Sequence, residues 1–121
     1  MMDDHELLRY AYAAFNARNI DAALATMHPD VVWANGMEGG TVHGHQGVRE
    51  YWTRQWTLID PHVDPVGFSR LPDGRIAVDV HATVRDREGT LLADHRVQHL
   101  YRIEDRLVRS MEIVEEPAVF A

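Results

Sequence analysis

The chain has 121 residues, 45% of them hydrophobic and 26% charged, with a formal net charge of −7. Its 12 basic residues, all arginine, are outnumbered by 19 acidic ones and form no stripe, which argues against a nucleic-acid partner. There is no cysteine, so disulfides, thiol catalysis and thiolate metal sites are excluded.

The length is that of one domain over residues 1–121, enough to bury a core with room for a cavity. No apolar run approaches the roughly 20 residues that a membrane span needs. The start, MMDDHELL, is acidic rather than basic and then apolar, so no signal peptide is expected and a cytoplasmic location fits.

Asp3 and Asp4 can cap a first helix, in which Leu8, Tyr12 and Phe15 recur at helical spacing through HELLRYAYAAFNARN. IDAALATM reads as a short second helix, stopped by HPD. VVWAN is a short strand with Val31, Trp33 and Asn35 on one face. The glycine-rich GMEGGTVHGHQ is loop or irregular strand. In GVREYWTRQW, Val48, Tyr51, Trp52 and Trp56 fall on one side of a third helix.

The remainder reads as strands. HVDPVGFSRL is interrupted by Pro65, the mark of an edge strand or a bulge. RIAVDVHATVRD alternates cleanly, and its apolar set (Ile76, Val78, Val80, Ala82, Val84) belongs to the core. The opposite set, Asp79, His81, Thr83 and Arg85, then faces water or a partner copy. A strand from Leu91 to Ile103 and a last one, LVRSMEIVEE, complete an antiparallel meander, for an α+β layout with helices on one face of a sheet.

The strand ADHRVQHLYRI raises a chemical question. Its apolar face holds Ala93, Val97, Tyr101 and Ile103, but also His95 and His99. Histidines on a buried face are either satisfied core groups or the lining of a cavity.

Three stretches, FNARNIDAALATMHPDVVW, HGHQGVREYW and HLYRIEDRLVRSMEIVE, resemble in this order the nuclear transport factor 2-like superfamily. Within it they are most similar to the SnoaL-like polyketide cyclases and the ketosteroid isomerases. The resemblance implies a cone-shaped, cystatin-like α+β fold: a curved antiparallel sheet wrapped around a long first helix, with a pocket at one end. It also implies a homodimer paired through the outer sheet face. It places His99 where relatives carry an acid–base aspartate, Asn35 where the isomerase carries its general base, and Ala11, next to Tyr12, where it carries an oxyanion-binding tyrosine.

On that frame His99 is the candidate acid–base group. Burial among Trp33, Trp52 and Met111 would lower its pKa and keep it neutral. Asn35 or Tyr12 would polarise a substrate oxygen. Trp33, Trp52, Met111, Ile113, Tyr101 and Glu115 would form the binding walls, for a small, apolar, cyclic molecule. Isomerisation or cyclisation fits this set and needs no cofactor. The alternatives are a non-catalytic ligand-binding domain and a structural dimer with a filled pocket.

No metal is expected. His95 and His99 stand about 13 Å apart along a strand, too far to share an ion whose ligands lie about 2 Å from it. His43 and His45 have no carboxylate pattern beside them. His95 belongs at a rim or in a dimer contact. Asp94 and Arg96 have the chemistry for epoxide opening but fall on the face opposite His99.

Overall fold

Asp3 accepts a hydrogen bond from the Glu6 N–H at 2.8 Å and so caps α1 (Asp4–Asn16), as its position ahead of an amphipathic stretch predicts. In this computed structural model, which describes residues 2–115 (Glu115 through its backbone alone), α1 is followed by α2 (Ile20–Leu24), capped in the same way by Asn19. Then come β1 (Met27–Ala34), β2 (Thr41–His43), α3 (Gly44–Leu58), β3 (Ile59–Arg70), β4 (Ile76–Asp86), β5 (Leu91–Glu104) and β6 (Leu107–Glu115).

The strands form one six-stranded sheet in the order β2-β1-β6-β5-β4-β3. The run from β3 to β6 is the expected antiparallel meander. It is not antiparallel throughout: β1 joins β6 in parallel, with Trp33 beside Met111. The chain leaves β1 through α3 before the meander begins, and a crossover of that length permits a parallel pairing.

β1 begins at Met27, earlier than its apolar run suggests, because HPD continues the strand at the sheet margin, where its polar residues remain wet. Pro65 lies on the edge strand β3, where the register with β4 slips between Pro65 and Gly67. An edge position and a bulge both spare the ladder a donor that proline lacks.

Alternation in β4 decides which face is inside. Val78 and Val80 are fully buried and Ala82 nearly so, while Asp79 and Arg85 are exposed. On β5 Val97, His99 and Tyr101 are buried on the inner face, and Leu100 is buried on the outer one. Leu8, Met27, Val31, Val48 and Val108 complete the core between sheet and helices. Phe15, Trp52 and Trp56 pack edge-on or stacked where α1 meets α3. Among the described residues no helix is long and apolar enough to cross a membrane.

The end of α1 is fixed to the edge strand by one side chain. Asn16 Nδ2 donates to the Val63 carbonyl at 2.9 Å, and its Oδ1 accepts from the Val63 N–H at 3.0 Å. Replacing it leaves two backbone groups of β3 without partners. Asn16→Ala is therefore expected to lower the unfolding free energy by about 2 kcal/mol in urea titrations, and an unchanged midpoint would show that the clamp does not stabilise the fold.

Candidate functional site

The inner faces of the sheet and the helices α1 and α3 enclose a cavity of about 230 Å³. This is slightly below the range of about 300–1,000 Å³ usual for drug-sized ligands, and suits a molecule of one or two rings. Its wall is mainly apolar: Phe15 and Trp52 from the helices, Trp33, Val97, Met111 and Ile113 from the sheet. Trp33 and Trp52 meet edge to face, with ring centroids 5.5 Å apart.

His99 reaches the cavity from β5 and is 8% exposed. Its Nδ1 lies 2.7 Å from the Tyr12 hydroxyl, which in turn accepts a hydrogen bond from the Tyr101 hydroxyl at 2.8 Å. The Tyr12 and His99 rings are nearly parallel, 9° apart, and Tyr101 stands edge-on to both. Burial raises the pKa of both tyrosines, so both remain protonated.

This chain has a direction. Tyr101 donates to Tyr12, and among the described residues the Tyr12 proton has one acceptor in reach, Nδ1 of His99. A neutral His99 that accepts at Nδ1 carries its proton at Nε2. Nε2 has no partner among the described residues, so the relay ends in a free N–H at the cavity wall.

Desolvation lowers the His99 pKa from 6.5 to about 4. The expected depression is present, and it has the expected cause, burial without a compensating charge.

The other sequence candidates divide. Tyr12, Trp33, Trp52, Tyr101, Met111 and Ile113 all line the cavity together with His99. Asn35 does not, contrary to expectation. β1 ends at Ala34, and Asn35 folds back on its own loop: its Oδ1 accepts from the N–H groups of Met37 and Glu38 at 3.0 and 2.8 Å. A short amide at a strand end competes for nearby backbone donors in this way. Asn35 thereby shapes the turn that brings Gly36 and Met37 into the cavity wall. A Cβ at Gly36 would stand 3.1 Å from Ile113 Cδ1, a tight contact that the end of the Ile113 side chain would have to yield to. The Glu115 side chain lies outside the described residues.

His95 lines the mouth and is exposed, in keeping with a rim position. His43 and His45 turn to different partners, the Thr41 hydroxyl and the Met27 carbonyl. Among the described residues no group of three or more His, Asp or Glu could hold a metal ion. Asp94 is on the outer face, 2.5 Å from His81 Nε2, and Arg96 is exposed beside it, so the pair meant for epoxide opening does not enter the cavity.

The sequence reading passed over Gln55. It lines the cavity, and its Oε1 is one of two buried side-chain polar atoms without a partner among the described residues, the other being Trp56 Nε1. The sequence does carry a signal: Gln55 stands seven residues after Val48 in an otherwise apolar helical stripe.

The model of the SnoaL-like domain matches residues 8–111. The chain belongs to the SnoaL-like family. No curated protein matches it. Among solved structures, TerC co-crystallized with polyporic acid is 30% identical with a TM-score of 0.81, the alignment covering 93% of this chain and 91% of TerC. A nuclear transport factor 2-like protein of unknown function from Burkholderia pseudomallei is 28% identical with a TM-score of 0.82, covering 96% of this chain and 92% of that one. A Catenulispora acidiphila protein with a ketosteroid isomerase-like fold, crystallized with trimethylamine, shares the fold at 17% identity and a TM-score of 0.77, covering 89% of this SnoaL-like chain and 83% of that one.

The lowered His99 pKa links stability to pH. Between pH 6.5 and 4 the unfolded chain binds a proton at this position and the folded one does not. The contribution is full above pH 6.5 and lost as pH falls toward 4, by up to about 3 kcal/mol. His99→Gln keeps an acceptor for Tyr12 but does not titrate. The unfolding free energy of the wild type should therefore drop relative to that of the variant between pH 7 and pH 4. A pH-independent difference would contradict the burial argument.

Proposed function

We propose that this SnoaL-like protein is an acid–base enzyme of isomerase or cyclase type acting on a small, apolar, cyclic substrate that carries a ketone or phenolic oxygen. The observation that carries this reading is the Tyr101–Tyr12–His99 relay, which ends in an unpartnered Nε2–H at the wall of an apolar cavity.

The substrate oxygen accepts a hydrogen bond from His99 Nε2–H, and the rings lie between Trp33, Trp52, Met111 and Ile113. When a proton leaves the carbon beside the carbonyl, charge grows on that oxygen. A neutral imidazole backed by two donating hydroxyls stabilises it, and does so more strongly where water is excluded. The proton passes to water at the opening of the cavity; His95, about 13 Å along the strand from His99, is too distant to take it directly. Proton transfer of this kind requires no cofactor.

We place the protein in the cytoplasm as a homodimer paired through the outer sheet face. There Leu92 and Val114 are exposed, and Leu100 lies against Ala77. A second reading, a non-catalytic binding domain, is favoured by the absence of any carboxylate among the described cavity-lining residues.

Hydrogen–deuterium exchange separates the two. Cyclic ketones such as 1-tetralone, incubated with the protein in D₂O and followed by proton NMR, should exchange the protons beside the carbonyl faster than in buffer. His99→Phe should lower that rate at least 100-fold. Ketones that bind without exchanging would instead support the binding domain.

A further inference from the structure

The cavity is longer than the relay needs, and its two ends differ. Around the relay the wall is aromatic, with Trp33 and Trp52 at that end. From His99 toward the opening, the side chains that the sheet turns into the cavity are aliphatic until His95 is reached. The strand register fixes their order. His99 stands opposite Val78, and Val97 opposite Val80. The next inner row joins Val63, Ala82 and His95, and the one beyond it pairs Pro61 with Val84. Val97, Val63, Ala82, Pro61 and Val84 all line the cavity. In the inward set of β4, alanine at position 82 interrupts a run of branched residues and leaves room where its neighbours would fill it.

We infer that this aliphatic end is a second subsite, which takes a saturated chain carried by the substrate. The proposal rests on the cavity being a ketone site, as argued above. It narrows the substrate class to ketones with a ring on one side of the carbonyl and an alkyl chain of several carbons on the other. The carbonyl oxygen meets His99 where the two ends join, the ring lies against Trp33 and Trp52, and the chain runs toward His95 and solvent. From His99 to His95 the strand covers about 13 Å. A volume of about 230 Å³ drawn out over that length and the aromatic end is a narrow bore, which suits a chain better than a further ring. A chain leaves no polar group of this wall unpaired and gains by leaving water.

Acetophenone, butyrophenone, hexanophenone and decanophenone share ring and carbonyl and differ only in chain length. Their dissociation constants can be read from tryptophan fluorescence, since Trp33 and Trp52 line the cavity. For the wild type, affinity should rise about threefold with each methylene that enters the subsite. Ala82→Leu and Val63→Phe, both in the row of His95, should stop the rise. In each, decanophenone should bind no more tightly than hexanophenone, while butyrophenone, too short to reach that row, still binds. A measurement on the wild type alone guards against variants that fold poorly: nuclear Overhauser effects should join protons of the decanophenone chain to the methyl groups of Ala82 and Val63. Affinity independent of chain length, a rise of the same steepness in both variants, or the absence of those Overhauser effects overturns the chain subsite and leaves the ketone site standing. Binding of none of the four overturns the ketone site, and with it this inference.

Discussion

The hydroxyls of Tyr101 and Tyr12 and Nδ1 of the His99 imidazole are buried and must satisfy one another. An unpartnered hydroxyl in such a place costs about 1–3 kcal/mol, so the three are strongly held to their mutual distances. That requirement passes into the backbone. Tyr12 comes from α1, and His99 and Tyr101 come from β5, nearly ninety residues later. α1 therefore has to be fixed at both ends, by the Asp3 cap at its start and by the Asn16 clamp to β3 at its close. The sheet has to hold β5 near its middle, between β4 and β6, where a strand is least free to shift. The relay is thus a polar tie between layers that otherwise meet through apolar contacts.

The same burial that makes the relay necessary gives its last member its chemical character. Far from any compensating charge, His99 stays neutral down to about pH 4. A neutral imidazole in an apolar wall donates a hydrogen bond without carrying charge into the cavity, so an uncharged ligand meets no desolvated ion. Charges elsewhere in the molecule lie on the outside. His81 and Asp94, Gln98 and Asp79, and Arg18 and Asp60 pair on the exposed face or at the edge. Such pairs contribute little stability individually and leave the interior to hydrophobic packing.

Much of this was legible in the sequence because the relevant signals are periodic. Alternation in β4 and β5 set which side chains face inward, and a slip of one residue would have turned His99 out and Arg96 in. The helical recurrence of Leu8 and Tyr12 likewise pointed Tyr12 at the sheet. Aperiodic features were harder to read. Asn35 had the right place in chain order, but whether β1 runs through it or stops at Ala34 depends on local competition for backbone donors. Period-two reasoning does not see that competition. The parallel pairing of β1 with β6 depends on long-range packing, which local pattern does not encode. Gln55 was visible as a polar residue within an apolar stripe, and it was missed because the aromatic residues around it explained the stripe well enough without it.

The relay also accounts for the residue type at position 99. Tyr101 and Tyr12 each pass one proton forward, so whatever ends the chain must accept a hydrogen bond from Tyr12. To act on a ligand oxygen it must also present a donor to the cavity. An ionised carboxylate accepts but does not donate, and in these surroundings it would bring an unpaired buried charge. A tyrosine or serine would accept and donate through one oxygen, with no separation between the two functions. A neutral imidazole accepts at Nδ1 and donates at Nε2, on opposite sides of a rigid ring, and so carries the relay from the core to the cavity. The cavity thus presents the His99 N–H in a mainly apolar surround. Recognition then depends on where a ligand carries its oxygens, while the aromatic and aliphatic walls accept any ring of the right size.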